Sequence, residues 1–111
     1  MMSDQSYNPV ELITIEQNFP YSDPETYETK PSWVKFCQVY AELQIGQGRE
    51  FWAAQKNNSE LKGIVKTKQY IRGLYDNREF RVICSRGTYL VMWAIDLREQ
   101  NSNELHLKKI S

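Results

Sequence analysis

The sequence predicts a mainly β fold: a small six-stranded β-barrel or sandwich with one short α-helix after the second strand and long flexible loops. Three observations carry it. Residues 34–45 alternate polar and apolar side chains over a full strand length. Short runs rich in Val, Ile, Thr and aromatic residues recur along the rest of the chain. Gly, Asn and Pro separate these runs.

In chain order, residues 1–10 read as a loose polar tail, and residues 11–111 as one domain. Glu11-Leu12-Ile13-Thr14-Ile15-Glu16 is an alternating, β-branched first strand. Residues 17–33 read as a long loop, because Pro20, Pro24 and Pro31 oppose a helix or a central strand. In residues 34–45, Val39, Ala41, Leu43 and Ile45 face one way and Gln38, Tyr40, Glu42 and Gln44 the other. Gly46 and Gly48 end that strand, and Arg49–Lys56 reads as the short helix, with Phe51 and Ala54 packed. Residues 60–70 return to strand character, and 71–79 form a loop around Gly73 and Asp76-Asn77. Phe80–Cys84 is a strand, Arg86-Gly87 a tight hairpin turn, and Thr88–Ile95 the most apolar strand, expected to be central. Leu97–Asn103 reads as a polar turn, followed by a last strand through Leu105, Leu107 and Ile110.

Formal net charge is zero, so no global field draws the chain to nucleic acid. The charges are unevenly placed. Asp4, Glu11, Glu16, Asp23, Glu25 and Glu28 face a single Lys30 within residues 1–31. Lys62, Lys66, Lys68, Arg72, Arg78, Arg81 and Arg86 outnumber Asp76 and Glu79 within residues 62–86. Two readings fit: two solvated faces, or an acidic arm of one subunit meeting a basic segment of its neighbour.

No enzymatic constellation is expected. His106 stands alone in the last strand, no His/Cys cluster has zinc spacing, and Gly46-Gln47-Gly48 lacks the Lys-Ser/Thr ending of a phosphate loop. No cofactor and no metal are expected. The N-terminus has no apolar signal-peptide core, and Tyr89–Ile95 is too short to span a membrane. Cys37 and Cys84 are therefore expected as reduced, buried core residues.

The stretch 39–55 holds Tyr40-Ala41-Glu42-Leu43 and then Gly48-Arg49-Glu50-Phe51-Trp52-Ala53-Ala54-Gln55. In this it resembles the head–tail joining family of tailed bacteriophages. Ile13-Thr14-Ile15-Glu16 and Trp33 fit that family's opening, and Arg72-Gly73, Arg81-Val82, Arg86-Gly87 and Tyr89-Leu90-Val91 fit its hairpin. Leu97-Arg98 and Asn103–Leu107 resemble its last turn and strand, so the likeness runs over residues 11–111. Gln47 and Ile45-Gly46 depart from the family's usual Ser and Pro.

The resemblance implies a structural virion protein, made in the host bacterial cytoplasm. It implies a ring between the head, with its portal and adaptor, and the tail, which helps close the head and retain packaged DNA. Partners would be other copies of the chain, the portal-bound adaptor, a tail-completion protein and, by proximity, double-stranded DNA. The free subunit would be monomeric and no membrane would be involved. Residues expected at such interfaces are Phe19, Tyr21, Tyr27 and Trp33 in the first loop, Arg49 and Trp52 in the helix, and Lys66, Lys68, Tyr70, Arg72 and Tyr75 in the basic segment. Residues 17–33 and 66–79 would order on docking. The rival expectation is a small barrel of the OB or SH3 kind that binds single-stranded nucleic acid or peptide.

Overall fold

The computed structural model describes residues 9–45, 63–74 and 78–110. Its strands are β1 (Val10–Asn18), β2 (Tyr21–Ser22), β3 (Thr29–Lys30), β4 (Trp33–Ile45), β5 (Gly63–Thr67), β6 (Phe80–Cys84), β7 (Gly87–Leu97) and β8 (Ser102–Lys109). Six of them close into a barrel in the order β1-β4-β5-β8-β7-β6, and every pairing is antiparallel. β1-β4-β5 and β6-β7-β8 are two meanders. The second returns so that β6 pairs with β1 and β8 with β5, which closes the ring of strands, although β6 covers only Gly87–Leu90 of the longer β7. The expected six-stranded, mainly β fold is the observed one, in its barrel form.

Alternation puts the core inside. Ile13 and Ile15 of β1, Val39, Ala41 and Leu43 of β4, Val65 of β5, Val82 of β6 and Leu105 and Leu107 of β8 all point inward and are buried. A closed barrel of this size is filled by its own side chains, and each fully buried Leu or Ile contributes about 1.5–3 kcal/mol relative to an exposed one. The register stacks these residues in layers: Leu43 opposes Val65, which opposes Leu105, while Ile15 lies between Cys37 and Val82.

Several expectations need correction. The first loop is shorter than residues 17–33, because β1 runs through Asn18 and a small β2–β3 hairpin forms beyond it. Its prolines flank the two-residue strands, at Pro20, Pro24 and Pro31, so no ladder N–H is missing. β5 ends at Thr67, short of the expected residue 70, and residues 60–62 lie outside the described residues. The hairpin turn falls on Ser85-Arg86, one residue early, and Gly87 opens β7 with φ of 130°. β7 is not central, since a closed barrel has no centre. Nor is it well buried: the register slips between Val91 and Trp93, and Met92, Trp93 and Ile95 are exposed. Residues 98–100 form a 3₁₀ turn ending at left-handed Asn101, and β8 starts at Ser102. Cys37 and Cys84 are free but only half-buried, and Ile110 is exposed. The expected helix at 49–56 lies outside the described residues.

Candidate interaction end of the barrel

Antiparallel connectivity sends three connections to the same end of the barrel: 19–32 after β1, 68–79 after β5, and 98–101 after β7. Two buried asparagines anchor them. Asn18 Nδ2 donates to Glu79 Oε1 at 2.8 Å, and its Oδ1 accepts the Ser32 amide at 2.8 Å. One side chain thus joins the foot of the first loop to the approach to β6. Asn103 is fully buried; its Oδ1 accepts the Ile71 amide at 2.7 Å and its Nδ2 donates to the Ile71 carbonyl at 3.2 Å. The Asn103 amide donates to Thr67 Oγ1 at 2.8 Å, and Ser102 Oγ donates to the Thr67 carbonyl at 2.7 Å. A buried amide that makes all its bonds holds a loop in one place, since any other placement would strand polar groups.

Ile71 and Leu74 of the second connection pack on the barrel core. Leu74 is buried, and Phe36 meets Phe80 edge-on at 5.2 Å. Gly73 has φ of 95°, and a Cβ there would meet the Phe36 ring at 3.4 Å.

Arginine and aromatic side chains meet three times at this end. Arg78 lies 5.0 Å from the Phe19 ring, Arg81 4.5 Å from the Trp33 ring and Arg98 5.2 Å from the Tyr70 ring. Two of the three arginines also hold carboxylates: Arg81 holds Glu16 at 2.7 Å and Arg98 holds Asp96 at 3.2 Å. The Tyr70 hydroxyl donates to Asp96 at 3.2 Å and accepts from Arg98 at 3.1 Å, and this raises the Arg98 pKa further.

Of the expected interface residues, Phe19, Tyr21, Tyr27, Trp33, Lys66, Lys68, Tyr70 and Arg72 all lie at or beside this end. Tyr21 and Tyr27 stand on the β2–β3 hairpin, and Tyr27 is 81% exposed. Lys68 pairs loosely with Glu42 at 3.7 Å. Arg49, Trp52 and Tyr75 lie outside the described residues. Arg78, Arg81, Arg98, Asn18 and Asn103 had not been singled out as site residues. Arg78 and Arg81 were visible only as part of the basic segment, and nothing local marked the partners of Arg98, Asn18 or Asn103.

Part of the charge asymmetry is consumed within the chain. Glu16 pairs with Arg81, and Glu11 accepts from the Ser85 amide and hydroxyl at 2.7 and 2.6 Å. Among the described residues there is no cluster of His, Cys, Asp and Glu able to hold a metal ion. No described helix is long and apolar enough to cross a membrane.

No protein-family model and no curated protein matches the chain. The solution structure of protein SF1141 from Shigella flexneri 2a aligns with a TM-score of 0.57 at 16% identity, covering 98% of this chain and 96% of that one. At that identity the likeness is one of fold: this chain shares a small closed β-barrel with SF1141.

Proposed function

We propose that the protein is a head–tail joining protein of a tailed bacteriophage, which forms a ring between the portal–adaptor complex and the tail and helps retain packaged DNA. The observation that carries the reading is the order of family-like segments over residues 11–111, led by the block at 39–55. Ile13, Ile15, Ala41, Leu43 and Val82 fill the barrel, and Gly87 adopts a backbone angle that disfavours other residues. A ring needs two different, complementary surfaces on each subunit. The test is electron microscopy of particles from a phage with an amber codon in this gene. DNA-filled or leaking heads beside complete free tails support the reading; normally joined virions refute it.

A second reading has its own observation. Three arginine–aromatic pairs at one end resemble a base-stacking platform. Carboxylates on Arg81 and Arg98 weigh against it, because they cancel charge that a phosphate backbone would require. Titration with labelled single-stranded oligonucleotides at low salt decides: micromolar, salt-sensitive binding would bring this reading forward.

A further inference from the structure

The β2–β3 hairpin is a stiff projection. Asp23 Oδ1 accepts the Glu25 amide at 2.8 Å, its other oxygen holds Lys30 Nζ at 2.8 Å, and the Tyr27 amide donates to the Asp23 carbonyl at 2.7 Å. Tyr27 stands at φ of 61°, in the left-handed region that a tyrosine adopts at a cost of about 1 kcal/mol or more. Despite that cost Tyr27 is 81% exposed. Glu25 and Glu28 flank it, both exposed. Neither has an ion-pair partner among the described residues, whereas Asp23 is neutralised by Lys30.

On the β6–β7 side of the same barrel lies an open hollow of about 240 Å³, lined by Leu74, Phe80, Val91, Met92, Trp93 and Ala94 with Arg78 at its rim. The bulge at Met92 turns both Met92 and Trp93 outward and leaves them 38% and 44% exposed. Arg72 lies two residues before Leu74, and neither Arg72 nor Arg78 has an ion-pair partner among the described residues. Glu79, next to Arg78 in sequence, is turned to Asn18. The projection thus offers an aromatic ring between two carboxylates; the hollow offers apolar side chains, open strand backbone and the Arg78 guanidinium, with Arg72 in the connection that supplies Leu74. The exposed Tyr27 does not fill the hollow of its own chain.

We propose that the β2–β3 hairpin of one copy inserts Tyr27 into the β6–β7 hollow of the next, with Glu25 and Glu28 facing Arg72 and Arg78. The contact is heterologous, since hairpin and hollow are different surfaces, and repetition of one such contact closes a ring when the rotation permits. Rigid aromatic anchors in apolar pockets carry much of an interface's affinity, and the flanking charges set partner and register. The inference rests on the ring reading for its partner, a second copy.

The test places photoreactive benzoylphenylalanine at Tyr27 in unlabelled full-length chain and mixes it with 15N-labelled native chain at high concentration. Expected are cross-linked dimers and higher species, with the unlabelled hairpin joined to labelled Met92 or Trp93. Glu25→Lys with Glu28→Lys should cut the yield at least tenfold, and adding Arg72→Glu with Arg78→Glu on the labelled chain should restore it. Links that join copies at other surfaces overturn the docking and leave the ring reading intact. Links only within one chain, or none, also overturn it, while the amber phage decides the ring reading separately.

Discussion

Arg81 holds Glu16 and Trp33 at once: its Nε and Nη2 both lie 2.7 Å from Glu16 Oε1, and its guanidinium carbon is 4.5 Å from the Trp33 ring. Three strands meet there, since Glu16 is on β1, Trp33 on β4 and Arg81 on β6. The β1–β6 pairing is one of the two that join the meanders into a closed barrel. Glu16 and Arg81 side chains are 19% and 26% exposed, so solvent screens the pair only in part. Arg81→Ala should destabilise the fold by about 1–3 kcal/mol, through a lost charge-assisted bond and a lost stack. Arg81→Lys should restore less than half of that, because an ammonium keeps the charge but loses the planar contact. Urea unfolding with an unchanged m-value checks both; full recovery by lysine would mean that the stack contributes nothing.

Asn103 is the corresponding fixture on the β5–β8 side. Asn103→Ala leaves the Ile71 amide without its acceptor and the Ile71 carbonyl without its donor. The expected cost is about 1–3 kcal/mol. The readout specific to this role is hydrogen exchange. The Ile71 amide should lose protection by more than the global change, while amides in β6 follow the global change alone. Uniform loss throughout the barrel would mean that Asn103 serves the core and not the loop.

The two fixtures also explain what was legible in the chain. β4 and β6 were readable because alternation and Gly punctuation are local signals, and Phe80–Cys84 matched residue for residue. The slip at Met92 was not readable, because a bulge keeps the composition of a strand and changes only its facing. Asn18 and Asn103 read as turn residues, since nothing local marks an asparagine whose partners lie 61 or 32 residues away. The aromatic loop and the basic segment were both visible as stretches. That the aromatic loop and the 68–74 part of the basic segment share one end of the barrel follows from antiparallel connectivity and from β6 returning to β1, a pairing no window of sequence contains.

Asp23 should titrate below the usual aspartate value of 3.8, first because Lys30 stabilises its carboxylate and next because the Glu25 amide does. A depressed folded-state pKa stabilises the hairpin above the unfolded value, and that stabilisation is lost as pH falls through the folded value. NMR titration should therefore show the Glu25 amide shift changing with a midpoint below 3.8. Lys30→Gln should move the midpoint upward, since the larger of the two causes is gone. An unmoved midpoint would assign the depression to the backbone amides alone.

The half-buried thiols give the opposite sign at the other end of the pH scale. Burial raises Cys37 above the ordinary thiol value of 9.0. It raises Cys84 as well; the Arg86 and Gly87 amides offset this in part and the Glu11 carboxylate adds to it. A thiol is neutral when protonated, so a raised folded-state pKa leaves stability untouched well below 9.0 and lowers it as pH rises through that value, where the unfolded chain ionises first. Tyr89, raised by burial from 10.0, acts in the same direction at higher pH. Cys37→Ala with Cys84→Ala removes the thiol contribution and keeps that of Tyr89. Native protein should lose more thermal stability between pH 8 and pH 10 than the double variant, on the order of 1 kcal/mol for each full unit of pKa difference. Equal losses would mean that the thiols ionise as readily in the barrel as in the unfolded chain.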